Sequence, residues 1–482
     1  MNYQERVTLR PPVRRTITFF ASGAVGGGCN VLLTLTLLRL FSGAEYKTIG
    51  LSLSASVFAS ALAFEWLRLY AFRFWAEQEK FGSIYTLYVL SALLLLCGGG
   101  ALQLLSPGGP AGVAASLVAA IAIVQALGDF LILLGRARSL YRMVVLVQAG
   151  RGIATLLVCA AVGYLTRDAQ VTLCALVATH VIVSSIALFT FRHRIPPRTP
   201  FSWDAAGQVL RFGLPLMISA LVNSLLSMSD RWILSLSNMH FTDDHIGGYI
   251  GVSDLYVRAL SFFSGVLLGA FLQDILFDFD SESSGAANAR YRTMMLAFTA
   301  VVAPILFGSV VFGGDLAALI IPGEAARPSA ALFAAIVFAV STHITRNALI
   351  ETILLLEKRT ILVLAINIGC LVLAVGVGLS LLPVLGMAAV PIGFIVSGVA
   401  GSVASLVCMA PATRKLVSSP EPLAPLALAG AAAIGSEAIG LLVGWSPLER
   451  MALFSIAYGA GALIFGWCRY GSELVGQSNR PS

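Results

Sequence analysis

The chain has 482 residues, of which 58% are hydrophobic and only 11% charged, with seven cysteines and a net charge of +7; its mean hydropathy is +0.88. Soluble domains carry roughly 25% charged residues, so this composition excludes a soluble globular protein and points to a polytopic membrane protein. The apolar segments run near-continuously for about 20 residues and lack the alternating ten-residue pattern of a membrane β-barrel, so the expected fold is an all-α integral membrane protein.

In chain order, a span of about 20 residues places six helices at 16–40, 48–72, 84–105, 113–135, 143–165 and 171–191. Six more are expected at 212–235, 246–272, 293–313, 329–355, 360–382 and 388–410, with a final pair at 424–445 and 451–468, fourteen transmembrane helices in all. The basic, proline-bearing "RHRIPPRTPFSW" separates the two sixes. The expected organisation is therefore an N-terminal six-helix lobe over 1–195, a second six-helix lobe over 196–411, and two additional helices with a cytoplasmic tail over 412–482.

Short cytoplasmic loops carry an excess of Lys and Arg. With the N-terminus inside, 21 of the 31 Lys and Arg fall in cytoplasmic segments. Four, Lys47, Arg167, Arg327 and Arg450, fall on the opposite side, and six lie within helices. Both termini are accordingly expected in the cytoplasm, with "NMHFTDDHIGG" on the far side. The positive charge is explained by topology and calls for no nucleic-acid partner. All seven cysteines fall in expected spans without pairing motifs, so neither disulfides nor a metal site is expected. The basic N-terminus leads into a full-length span with no small-residue cleavage site, so no cleavable signal is expected. The loops, under about 20 residues, are too short to fold as domains. Any chemistry must sit among the helices, with no cofactor; a membrane glycosyltransferase, polymerase or ligase would be expected to show a sizeable soluble loop or a clustered acid or His motif.

The two halves show signs of an internal repeat. Asn30 precedes Arg39 and Asn223 precedes Arg231 at similar spacing, and each pair is followed by a polar turn and a Gly-led helix, "TIGLSLSASV" and "IGGYIGVSDLYVRAL". Six helices per half give both halves the same orientation, with a symmetry axis along the membrane normal and a central cavity between lobes.

The stretch "RFGLPLMISALVNSLLSMSDRWILSLS", followed by "IGGYIGVSDLYVRALSFF", resembles the start of the second lobe of bacterial polysaccharide (O-antigen and exopolysaccharide) flippases. The likeness lies in the Gly-x-Pro opening, the Asp-Arg near the outer end and the Gly-x-Tyr that begins the next helix. The N-terminal "RRTITFFASGAVGGGCNVLLTLTLLRLFS" and the helix count extend it over the whole chain, and "FSGAEYKTIG" is a looser version of the usual turn. This family shares a superfamily with MATE multidrug exporters and the lipid II flippase. The resemblance implies a V-shaped, MATE-like two-lobe transporter of the bacterial inner membrane. It would move an undecaprenyl-pyrophosphate-linked oligosaccharide from the cytoplasmic to the periplasmic leaflet for polysaccharide biosynthesis. Its expected partners are that lipid-linked cargo, membrane lipids, a proton or sodium ion, and the polysaccharide polymerase and export machinery. A MATE-type drug exporter and a lipid II flippase are the alternatives that share the fold.

The candidate residues are the charges within the helices. All six intramembrane cations are Arg: Arg39, Arg68, Arg151, Arg231, Arg258 and Arg346. Guanidinium grips phosphate oxygens bidentately, which suits a pyrophosphate cargo. The plainer reading is that they pair with the six intramembrane acids, Glu65, Asp129, Asp230, Asp254, Glu351 and Glu437. Glu65 with Arg68 and Asp254 with Arg258 have the spacing of same-face pairs. Arg39 lies near a helix end and is placed to snorkel. Arg151 has no acid within four residues, and Asp129 lacks a cation within a turn. His343, Asn347 and Glu351 form a polar stripe at four-residue spacing with Arg346 beside them. Asp230 and Arg231 point about 100° apart on one helix and read as a latch between lobes. The resulting expectation assigns Arg68, Arg151, Arg258, Arg346 and Asn347 to the substrate, Asp129, His343 and Glu351 to ion coupling, and Asp230, Arg231, Asp254 and Glu65 to gating.

Overall fold

The computed structural model describes residues 13–73, 81–105, 114–137, 140–194, 200–237, 241–280, 284–357, 359–409 and 423–478. Several of the loop cations that set the expected orientation, among them Arg6, Lys80, Arg138, Arg198, Arg414 and Lys415, lie outside the described residues. The described residues are helical with short connections. The first eight helices are α1 (Val13–Leu40), α2 (Gly43–Ser60), α3 (Trp66–Arg73), α4 (Phe81–Leu105), α5 (Ala115–Ala137), α6 (Tyr141–Val145), α7 (Arg151–Thr166) and α8 (Ala169–Phe191). The next eight are α9 (Trp203–Leu236), α10 (Asp243–Asp280), α11 (Ser284–Val311), α12 (Gly313–Ile320), α13 (Ala330–Thr345), α14 (Thr352–Leu356), α15 (Thr360–Leu385) and α16 (Ala389–Cys408). The last two are α17 (Leu423–Val443) and α18 (Pro447–Ser478).

Three pairs of these helices are single rods interrupted by a π turn: Ala61–Glu65 joins α2 to α3, Leu146–Gly150 joins α6 to α7, and Arg346–Glu351 joins α13 to α14. With each rod counted once, the described residues form fourteen long rods, as the apolar segments imply. Ten stretches are long and apolar enough to cross a membrane, and one of them, Ile361–Cys408, holds both α15 and α16.

Local chemistry sets the helix ends. Ser42 and Glu45 form a reciprocal capping box at α2, in which the Ser42 amide donates to the Glu45 carboxylate at 2.9 Å. Asp168 caps α8, Ser202 caps α9 and Ser329 caps α13. Two features depart from the sequence expectation. Helices α9 and α10 run for 34 and 38 residues, because hydropathy marks only the part of a helix that sits in hydrocarbon. The eight-residue α12 lies in a segment expected to be loop, and Arg39 of α1 donates to its Leu319 carbonyl at 2.9 Å.

Helices α1–α8, from the first half of the chain, are called the first lobe and α9–α16 the second; one hydrophobic core includes residues of both. Helix α9 crosses between them. Its Val209 is fully buried with Leu67, Phe81 and Leu131 of the first lobe, whereas Leu226 and Leu234 join a core shared with α10 and α13. At the end of the molecule that holds Gly43, α2 and α10 meet closely enough that a Cβ on Gly247 would lie 1.7 Å from the Gly43 carbonyl oxygen, so only glycine fits there. Lys47 and Asp243 pair across this seam at 2.5 Å, and the Ala44 amide donates to Asp244 at 2.9 Å. The last two helices lie against α11 through Ala429, Ala433 and Phe454. They are tied by Arg450 to Glu437 at 2.5 Å and by the Tyr458 hydroxyl to the Ala300 carbonyl at 2.5 Å.

Candidate functional site

Nine of the twelve intramembrane charges gather into three groups, each on rods that pack against one another. The first lies in the seam between lobes. Arg231 of α9 is 4% exposed. Its Nη2 lies 2.6 Å from Asp254 Oδ1 on α10, and its Nη1 donates to the Ser54 hydroxyl of α2. The Tyr46 hydroxyl, also from α2, donates to the other Asp254 oxygen at 3.3 Å. Asp230 accepts from Tyr249 at 3.2 Å and Ser253 at 3.3 Å, both on α10, and lies 3.8 Å from the Arg231 Nε. One guanidinium thus holds two helices of its own lobe and one helix of the other. Buried carboxylates need such partners, since an unpaired ion in low dielectric costs several kcal/mol.

The expected Asp254–Arg258 pair does not form: Asp254 is taken by Arg231 and Tyr46. Four-residue spacing says which side chains are neighbours on an isolated helix, but a buried ion selects the best geometry across helices, and α9 supplies it. Arg258 makes no ion pair or hydrogen bond among the described residues. It is half-buried on α10, and Phe262, one turn further on, lies against Gly27 of α1. Arg258 therefore shares the face of α10 that looks across the seam.

The second group is inside the first lobe. Arg151 follows the π turn Leu146–Gly150 and reaches Asp129 of α5 at 3.3 Å, so neither is the isolated charge that its local sequence suggests. Gly128 makes this approach possible, because a Cβ there would lie 2.1 Å from the Arg151 Nη1. That Nη1 is buried without a hydrogen-bond partner among the described residues. Glu65 ends another π turn and pairs with Arg68 three residues on, which places Glu65 within the lobe and away from the inter-lobe tie. Glu65, Arg68 and Asp129, with Ser60 and Tyr88, line a crevice of about 10 Å³, about the room one water needs.

The third group is inside the second lobe, at the π turn Arg346–Glu351. Residues five apart on an α-helix point about 140° apart, but the wider turn brings Arg346 Nε within 3.2 Å of Glu351. Arg346 also donates to Asn367 at 2.7 Å and Asn347 at 3.0 Å, and Asn347 bridges to Asn223 at 3.2 Å and to His343 at 3.1 Å. Arg346 is 0% exposed. The polar stripe His343, Asn347 and Glu351 lies in the hydrogen-bonded interior among these helices.

Tyr46, Ser54, Tyr249, Ser253 and Asn367 belong to these groups, and the sequence assigned none of them to a site. Tyr46 and Tyr249 had a usable signal. Each sits near the start of the second helix of its half, in "AEYKTIG" and "GGYIGVS", and each donates to a buried aspartate. Among the described residues no cluster of His, Cys, Asp and Glu has the makings of a metal site.

No family model and no curated protein sequence matches the chain. Solved structures do share its fold. The lipid II flippase MurJ in an inward closed conformation superposes with a TM-score of 0.66 at 12% identity, covering 96% of this chain and 100% of that one. The MATE multidrug transporter DinF-BH in complex with R6G gives 0.55 at 14% identity over 86% of this chain and 97% of that one. The eukaryotic MATE transporter AtDTX14 gives 0.54 at 12% identity over 86% and 99%. The likeness is one of fold.

Proposed function

We propose that the chain is an alternating-access flippase that carries a polyprenyl-pyrophosphate-linked oligosaccharide across the bacterial inner membrane. The observation that carries this reading is Arg258, a cation on the inter-lobe face that makes no ion pair among the described residues. An intramembrane charge in that position calls for water or an anionic cargo, and a fixed cation there disfavours cationic drugs. The whole-length likeness to a lipid II flippase supports the same transport class. The seam supplies the moving part. Arg231 joins the lobes by its contact to Ser54, and Tyr46 by its bond to Asp254, and opening the Gly43 end requires the loss of both together with that of Lys47–Asp243.

Arg258→Lys retains the charge and loses the planar fork. In vesicles holding a lipid-linked saccharide, transport is expected to fall about tenfold or more, the equivalent of about 1.4 kcal/mol, with protein yield unchanged; full transport by Arg258→Lys would overturn the bidentate role. Asp129, whose side chain is 41% exposed beside the water-sized crevice, is proposed as the coupling carboxylate. Asp129→Asn is expected to transport without dependence on a proton or sodium gradient, and an unchanged gradient dependence would remove it from that role. In this reading the Gly43 end is periplasmic. A cysteine placed at Asp243 should react with an impermeant maleimide added outside the cell, and protection there with labelling only after lysis would invert the orientation.

A further inference from the structure

A cavity of about 500 Å³ lies between α2 of the first lobe and α9 and α15 of the second, and no group described above uses it. Along α9 it is lined by residues at four-residue spacing, from Ser224 through Met228 and Trp232 to Leu236, so it follows one face of the helix for about 20 Å. A long groove of this shape suits an extended carbon chain, whose atoms keep neighbours at about 4 Å. The walls agree. Ala55 and Phe58 close the α2 side and no charged side chain lines it. Of its three serines, Ser229 and Ser237 spend their hydroxyls on the Leu226 and Leu234 carbonyls of their own helix. At its mouth Leu236 and Leu379 are exposed, so it opens sideways from the membrane-spanning part of the molecule.

We infer that this slot seats the polyprenyl chain of the cargo while the head group moves between the lobes. The inference rests on the lipid-linked reading of the cargo. The position of the slot supports the choice of occupant: it lies on the lobe seam, where a lipid whose head is between the lobes must leave its tail. Ser54, which Arg231 grips, precedes Ala55 in the slot wall, and Asp230 and Arg231 stand between Ser229 and Trp232. The same turns of α2 and α9 therefore carry the slot on one face and the inter-lobe tie on another, so an occupying chain bears directly on the contact that has to break.

Trp232 provides the readout. The full chain is reconstituted in phosphatidylcholine vesicles with brominated acyl chains, and its fluorescence is compared with that of Trp232→Phe to isolate the Trp232 component. Added undecaprenyl phosphate is expected to relieve the bromine quenching of that component saturably, and Ala55→Phe, which fills the slot, to abolish the relief. Quenching that undecaprenyl phosphate leaves unchanged would assign the slot to phospholipid chains, and an absence of quenching would show that no chain enters; either result overturns the inference. Movement of a lipid-linked saccharide is measured in parallel with unbrominated vesicles. A protein that moves the saccharide while Trp232 ignores undecaprenyl phosphate refutes the slot assignment and leaves the flippase reading standing. Relief of quenching without movement does the reverse.

Discussion

Arg231→Ala is expected to lower stability by about 3–5 kcal/mol, the cost of stranding a buried partner charge, and to abolish transport. Asp254 and Asp230 are 4% and 6% exposed, and the substitution removes the guanidinium that lies 2.6 Å from the first and 3.8 Å from the second. It also removes the donor to Ser54 and so one of the links between lobes. Thermal unfolding in detergent measures the first effect and vesicle transport the second. Pairing Arg231→Ala with Asp254→Asn should return part of the stability, because no full charge then remains opposite the gap, but should leave transport at zero, because the tie is still absent. Wild-type transport by the double variant would show that the bridge is structural only.

The second large effect is expected at Arg346. This side chain is 0% exposed and holds Glu351, Asn347 and Asn367 together inside the second lobe. Arg346→Met leaves Glu351 buried without its cation and is expected to cost about 3–5 kcal/mol. Adding Glu351→Gln removes the stranded charge and is expected to recover most of that loss, giving a large coupling energy in a double-mutant cycle. Additive losses from the two substitutions would mean that they do not interact. A substrate-contacting arginine would give a different pattern: normal stability with lost transport, as expected for Arg258.

These assignments show which parts of the molecule were legible in the sequence. A span length fixed by bilayer thickness found all fourteen rods, because burial in hydrocarbon dictates composition residue by residue. It did not find the π turns, which change register without changing hydropathy, and these decide which charges meet. The stripe His343, Asn347, Glu351 was drawn with α-helical periodicity, and the wider turn at Arg346–Glu351 instead makes Arg346 and Glu351 neighbours. π turns recur at functional sites because an extra residue re-aims the side chains around it; all three here end at or adjoin a buried or half-buried charge. Partner choice was also hidden. Asp254 has Arg258 at the favourable spacing along its own helix, yet pairs with Arg231 of another. That selection leaves Arg258 without an ion pair among the described residues, the feature on which the proposed cargo depends. Asp129 and Arg151 looked isolated for the opposite reason, being 22 residues apart in sequence and joined only by the way α5 packs against α6 and the π turn before α7.

The central claim is that the lobes carry a lipid-linked saccharide from one leaflet to the other. It is tested most directly with purified protein in vesicles loaded with a polyprenyl-pyrophosphate-linked oligosaccharide. The fraction of saccharide reached by an impermeant sugar-cleaving enzyme outside is followed over time. The account predicts that this fraction rises beyond the outer-leaflet share with wild-type protein and stays at that share with Arg258→Ala, although the variant folds and inserts equally well. A fraction that never rises above the outer-leaflet share with folded wild-type protein, or that rises equally with Arg258→Ala, would contradict it.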